Sequence, residues 1–220
     1  MRKFRKEFFI GISLIGLFIV WTILLQYVDV GLVETTGTYI VMSGVNLWFH
    51  KLTGVHMWIY YVTDWLGLVP VAVCLGFGVL GLVQMIRRRS LLKVDGNILV
   101  LGVYYVVVIV AYFLFEMMPL NYRPILIEGR LEASYPSSTT LLVLSVMPTL
   151  GYQLKSRIGR NHRVIARICI IFIYLFLLGM VLGRLVSGVH WITDIVGAVL
   201  LSLGLYYIYQ SICNDLFSNP

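Results

Sequence analysis

The chain has 220 residues, 60% hydrophobic and only 12% charged, with a mean hydropathy of +0.90 and a formal net charge of +7. So apolar a composition excludes an ordinary soluble domain and points to a polytopic membrane protein. The positive balance implies no nucleic-acid partner, because basic residues flanking membrane spans against anionic lipid account for it.

The apolar runs are continuous rather than alternating and are about 20 residues long, the length of a membrane-crossing helix. They predict an all-α fold of six transmembrane helices near 8–28, 58–86, 97–116, 137–154, 164–182 and 191–212, forming one membrane domain over 1–220. The first run follows MRKFRK, but it is too long for a signal peptide and no small-residue cleavage site follows, so an uncleaved anchor is expected. Six spans place Arg2, Lys3, Arg5, Lys6, Arg87, Arg88, Arg89, Lys93, Lys155, Arg157, Arg160 and Arg163 on one side, with Arg167 just inside the adjoining span. These are thirteen of the seventeen lysines and arginines. The other side keeps Lys51, Arg123, Arg130 and Arg184. The positive-inside rule then puts both termini in the cytoplasm of a bacterial cell and the loops 29–57, 116–136 and 183–190 on the outer face of the plasma membrane. Cys74, Cys169 and Cys213 all lie in apolar stretches, which suggests neither a disulfide framework nor a zinc site.

Along the outward segments, NLWFHKLTGVHMWIYY (46–61) mixes aromatics with His50, Lys51 and His56, as an interfacial segment does. The stretch NYRP (121–124) offers Arg123, a fork of donors suited to phosphate oxygens, although a solvated loop arginine reads the same way. SYPSSTT (134–140) opens the fourth span. A proline in a first helical turn with Ser134 or Tyr135 as cap would leave the amides of Ser137, Ser138 and Thr139 facing outward, either as a plain helix cap or as an anion site. GRLVSGVHWITD (183–194) carries Arg184, His190 and Asp194. His190 and Asp194 are four apart and share a helical face. A carboxylate there can fix the tautomer of a nucleophilic imidazole, or the two can be a buried polar pair that ties helices together. Taken together, two arginines, a helix start with hydroxyls and an Asp-oriented histidine are what phosphoryl transfer through a histidine requires, without a metal or other cofactor.

These segments resemble the type 2 phosphatidic acid phosphatase family of integral-membrane lipid phosphatases, whose three motifs run K-x6-RP, PSGH and SR-x5-H-x3-D. They align with Glu116 to Pro124 (EMMPLNYRP), Pro136 to Thr139 (PSST) and Gly183 to Asp194, the third with its R-x5-H-x3-D spacing intact. The resemblance implies His190 as the nucleophile, Asp194 as its orienting residue, and Arg123, Arg184, Ser137 and nearby amides as the phosphate-binding set. The chain departs from the pattern at four places. Glu116 replaces the first-motif lysine, Thr139 the second-motif histidine that protonates the leaving group, Ser138 the glycine and Gly183 the third-motif serine.

A threonine is no general acid near neutral pH. Expelling a lipid alkoxide, whose conjugate acid has a pKa near that of water at about 16, therefore becomes hard. Expelling a phosphate ester, with a second pKa of about 6, stays feasible. A lipid diphosphate such as a polyprenyl diphosphate is the substrate this predicts. Glu116 has three readings: a protonated replacement acid, a partner for a cation (Arg123, Arg184, a metal ion or a substrate amine), or a solvated helix-end residue. His50 or His56 could also stand in for the acid. The expected activity is metal-independent dephosphorylation of a lipid phosphate. Phosphoryl transfer to another acceptor and non-catalytic lipid-phosphate binding are the alternatives. A transporter is less well supported, because the polar residues cluster at one face.

Overall fold

A computed structural model describes residues 2–158 and 163–217. Arg160, counted above among the basic residues, lies outside them. In chain order the elements are α1 (Arg2–Leu24), a hairpin of β1 (Gly31–Val33) and β2 (Thr38–Ile40), α2 (Ser43–Thr53), α3 (Met57–Leu66), α4 (Leu68–Arg88), a single 3-10 turn (Leu91–Lys93), α5 (Gly96–Met117), α6 (Ser138–Arg157), α7 (Arg163–Val186) and α8 (Ile192–Phe217). The hairpin is antiparallel, with Leu32 opposite Tyr39.

Among the described residues, five helical stretches are long and apolar enough to cross a membrane: Lys6–Leu24, Met57–Arg88, Gly96–Met117, Arg163–Val186 and Ile192–Phe217. The chain is a multi-pass membrane protein. The expected span at 58–86 is two helices, α3 and α4, that meet at Gly67. The expected span at 137–154 is α6, which is not among the five apolar stretches. The physical reason is its position. α6 packs against α4, α5, α7 and α8, so its polar residues are shielded from lipid and meet one another. Tyr104 Oη donates to the Ser145 carbonyl at 3.0 Å, Tyr105 Oη and Thr149 Oγ1 lie 2.8 Å apart, and Gln153 Nε2 donates to Tyr209 Oη at 2.9 Å. A central helix whose polar side chains are mostly paired within the bundle needs no apolar surface, although the Ser145 hydroxyl is buried without a partner among the described residues.

α8 is the other central element and packs on α1 along its length. The outer helices expose the side chains a bilayer would cover, among them Phe9 and Leu17 on α1, Leu75 and Val79 on α4, Val103 and Val110 on α5, and Phe172 and Leu175 on α7. The contacts of α1 also orient the bundle. At one end Asn214 Nδ2 donates to Glu7 Oε2 at 2.6 Å, and at the other Trp21 Nε1 donates to the Thr193 carbonyl at 3.2 Å. The two chain ends therefore share one end of the molecule. The basic connectors join them there: Arg88 pairs with Asp95 at 2.8 Å and Arg157 reaches Asn97 Oδ1 at 3.2 Å. The loop 29–57, the α5–α6 connection and the α7–α8 connection gather at the opposite end.

Candidate active site

Three connections build the site at that opposite end. The α5–α6 connection folds back on itself through bridges between Tyr122 and Ala133 and between Ile127 and Arg130, turning at Glu128 and Gly129. This places Arg123 beside Glu132, backbone to backbone at 3.1 Å and guanidinium Nη2 to carboxylate at 3.1 Å. The connection is stitched to the α7–α8 loop by Trp191 Nε1, which donates to the Tyr122 carbonyl at 2.8 Å. In that loop Gly188 adopts a φ of 70°, and a Cβ there would collide with the carbonyl of Gly54, so the position suits only glycine. His56 N donates to the Ser187 carbonyl at 2.9 Å and holds the same loop from the other side.

His190 and Asp194 come together as expected, but not in direct contact. His190 Nδ1 lies 3.7 Å from Asp194 Oδ2, too far for a good hydrogen bond. Asp194 is the third residue of α8, and its Oδ2 accepts the Trp191 amide at 2.9 Å, which caps the helix start in the manner of a capping box. The Ser134 hydroxyl donates to the same oxygen and sits 3.2 Å from His190 Nδ1. His190, Asp194 and Ser134 are all buried. Burial, then the charges of Arg123 and Arg184, hold the His190 pKa well below its ordinary 6.5, so the imidazole is neutral at neutral pH.

Arg184 ends α7, where a cation suits the negative helix terminus. Its Nη2 donates to Thr139 Oγ1 and to Asp64 Oδ1, the latter at 3.2 Å, while Nη1 reaches toward the Tyr60 carbonyl and Thr63 Oγ1 at 3.4 Å each. Gly183, which replaces the family serine, has a simple reason. A Cβ there would come within 2.6 Å of Thr63 Cγ2, so glycine lets α7 approach α3. The guanidiniums of Arg123 and Arg184 share the Tyr60 ring, 5.6 and 4.9 Å from its centroid.

The helix start is shifted from the expectation. Ser137 is the N-cap of α6, and Pro136 precedes the helix instead of lying in its first turn. The Ser137 amide donates to the Asp194 carbonyl at 3.2 Å, so it is not free for an anion, and the Ser137 hydroxyl donates to Thr140 Oγ1 at 3.0 Å. The first intrahelical bond is Leu141 N to the Ser137 carbonyl, which leaves the amides of Ser138, Thr139 and Thr140 as the open donors of the helix start.

Glu116 ends α5, exposed, lining a small crevice with Ser134 and Ser138. The arginines expected as its partners are paired elsewhere, with Glu132 and Asp64. The His56 ring turns to the Thr53 carbonyl at 2.9 Å and His50 rests against Trp191, ring centroids 5.5 Å apart. Sequence reasoning missed Asp64 and the bridging place of Ser134. Asp64 carried a signal, since it is the sole charged residue in 58–86 and ionisable residues in a span are functional candidates by default.

What remains unsatisfied defines the chemistry. Among the described residues, Arg123 Nε and Nη1, Arg184 Nε and His190 Nε2 are buried without a hydrogen-bond partner. Leaving guanidinium donors unpaired costs several kcal/mol, so these atoms call for an anionic ligand. A phosphoryl group held by two arginines and a helix start, next to a neutral imidazole, matches that call.

Comparisons with known proteins give a family and a fold. The sequence profile described as the PAP2 superfamily matches residues 71–216. The fold is similar to that of a solved transmembrane PAP2 type phosphatidylglycerolphosphate phosphatase from Bacillus subtilis, with a TM-score of 0.59 at 16% identity, covering 94% of this chain and 96% of that one. A search of curated proteins gives no match.

Proposed function

Since the chain belongs to the PAP2 superfamily, we propose that it is a lipid phosphatase whose site opens on the outer face of a bacterial plasma membrane and whose favoured substrate is a lipid diphosphate of the polyprenyl type. The observation that carries this reading is the set of orphaned donors on Arg123 and Arg184 beside the free Nε2 of His190. His190 Nε2 attacks the terminal phosphorus. The N–P bond forms as the bridging P–O bond breaks, and the electron pair leaves on the oxygen of the lipid monophosphate. Water then attacks the phosphohistidine, releasing inorganic phosphate and restoring the neutral imidazole. The arginines and the amides of Ser138 and Thr139 hold the charge on the phosphoryl oxygens.

The diphosphate preference rests on Thr139. Its hydroxyl oxygen accepts from Arg184, and its own proton is too weakly acidic to be given to a departing alkoxide near neutral pH, whereas general acid help is worth roughly 10²–10⁴-fold where it is needed. A monophosphate leaving group needs none.

The test is purified protein in detergent with matched lipid monophosphates and diphosphates, scored for released phosphate. Diphosphates should turn over and monophosphates stay nearly untouched. His190→Ala should abolish turnover, and Asp194→Asn should cut it severely. Thr139→His should add monophosphate activity. Rapid hydrolysis of monophosphates by the unmodified protein overturns the leaving-group reading. Phosphate lost from the lipid but recovered on another acceptor identifies a transferase. Binding that depends on Arg123 and Arg184 without any turnover identifies a non-catalytic phospholipid binder.

A further inference from the structure

We infer that Ser134 is the positioning residue of the nucleophile, a hydroxyl relay inserted between His190 and Asp194 that fixes the imidazole with its proton on Nδ1 and its lone pair on Nε2. The inference rests on the phosphatase reading above and adds to it a residue from a different connection of the chain.

A hydroxyl has one proton, and the geometry allows one place for it. Asp194 Oδ2 takes the Trp191 amide and the Ser134 hydroxyl, so it acts as an acceptor to both. With the Ser134 proton committed there, His190 Nδ1–H is the donor toward Ser134, whose Oγ lies at 3.2 Å and whose backbone carbonyl also accepts from the ring. The second nitrogen, Nε2, is then the unprotonated one, and it is the buried atom without a partner. The direct His190–Asp194 separation of 3.7 Å leaves the carboxylate unable to do this alone.

The serine is held for the task. It is 2% exposed, its amide donates to the Asn121 carbonyl at 2.9 Å, and the Tyr122–Ala133 bridge fixes the backbone beside it. When Nε2 takes the phosphoryl group the ring gains positive charge. The chain Nδ1–H to Ser134 to Asp194 then sets that charge against the carboxylate, which stabilises it without taking the proton. The loop that carries Arg123 therefore sets the orientation of a histidine on the α7–α8 loop.

Two measurements test this. The first is kinetic, on the full-length protein with a lipid diphosphate. Ser134→Ala should lower kcat on the order of 10²–10³-fold with KM changed by no more than about twofold, because the cradle is untouched. The double variant with Asp194→Asn should be no slower than the slower single variant, since both act through one hydrogen-bond chain. A wild-type kcat in Ser134→Ala, or losses that multiply in the double variant, overturns the relay. Should Ser134→Ala not fold, Ser134→Cys, a weaker donor of similar size, is read in the same way, and a wild-type kcat there is equally fatal. The second is independent of turnover: ¹⁵N spectra of protein labelled in its four histidines, with His190 assigned by its loss in His190→Gln. The wild type should show His190 protonated at Nδ1 alone, and Ser134→Ala should show the Nε2–H form appearing. An unchanged tautomer overturns the relay. A wild type that hydrolyses no phosphate lipid yet shows this tautomer change rejects the phosphatase reading and leaves the relay standing.

Discussion

At the scale of single residues, each arginine of the cradle spends one nitrogen on an acidic neighbour, Arg123 on Glu132 and Arg184 on Asp64. Both acids are more than a third exposed, so they compete with an incoming phosphate from the solvent side. With each arginine buried and each acid partly in solvent, a pair is worth on the order of 1 kcal/mol, a factor of about five in binding. Asp64→Asn should therefore tighten inorganic phosphate or vanadate binding by about two- to fivefold, measured by calorimetry; weaker binding would show that Asp64 instead holds Arg184 in place for the ligand. His190 gives a second expectation. Its folded pKa is lowered, first by burial and then by Arg123 and Arg184, so the unfolded chain takes up a proton near 6.5 that the folded chain refuses. The histidine thus costs stability as pH falls below 6.5 and leaves it unchanged above, and ¹⁵N spectra should show a neutral His190 at pH 6. Appearance of the imidazolium there would place a stronger acceptor against the ring than Ser134. The legibility of these residues differs for physical reasons. His190, Asp194, Arg123 and Arg184 are readable because their spacing and charge in an apolar chain are rare. Ser134 is unreadable as a relay, because a serine before a helix is ordinarily a cap, and only the fold of the α5–α6 connection brings it to His190.

At the scale of elements, hydropathy locates most helices to within a few residues: 97–116 is α5, Gly96–Met117, and 164–182 lies within α7, Arg163–Val186. It does not foresee the hairpin and α2 in 29–57. Strands of three residues carry no usable period, and Val33 and Ile40 are buried in a cluster completed by Trp191 and Leu47 from elsewhere in the chain. Nor does it foresee the clasp that joins three helix ends. Asp95 accepts Arg88 at 2.8 Å and Gln84 at 2.8 Å and lies 3.7 Å from Arg157 on α6. The hydrogen bonds from Arg88 and then Gln84 hold the Asp95 pKa below its usual 3.8. With the folded value depressed, the stabilisation is complete above the unfolded pKa and fades as pH falls through the folded one. Asp95→Asn should lower the thermal midpoint at pH 7, and the gap to wild type should close below pH 3.8. A gap that persists in acid would assign the effect to the hydrogen bond from Gln84 Nε2 to the Asp95 side chain instead of the charge.

At the scale of the whole molecule, topology decides whether the site can meet its lipid from outside. Glu7 and Asn214 hold both chain ends at one end of the bundle, which demands an even number of crossings. Five apolar stretches alone would leave them on opposite sides. α6, with 20 residues at a rise of about 1.5 Å each, is about 30 Å long, the thickness of the hydrocarbon core. Counting it as a crossing restores an even total of six and puts the site at the end away from the basic connectors. On the proposed reading, the positive-inside rule then turns the site to the outer face, which labelling tests. Leu92 and Arg130 probe the two ends, both exposed and neither part of the site or of the clasp. With Cys74, Cys169 and Cys213 replaced by alanine, Arg130→Cys should react with an impermeant maleimide in intact cells, and Leu92→Cys should react only after the membrane is opened. Labelling of both positions from outside would rule out α6 as a crossing. The reverse pattern, Leu92 outside and Arg130 inside, would keep the six crossings but turn the site to the cytoplasm, and the lipid substrate would then be sought in the inner leaflet.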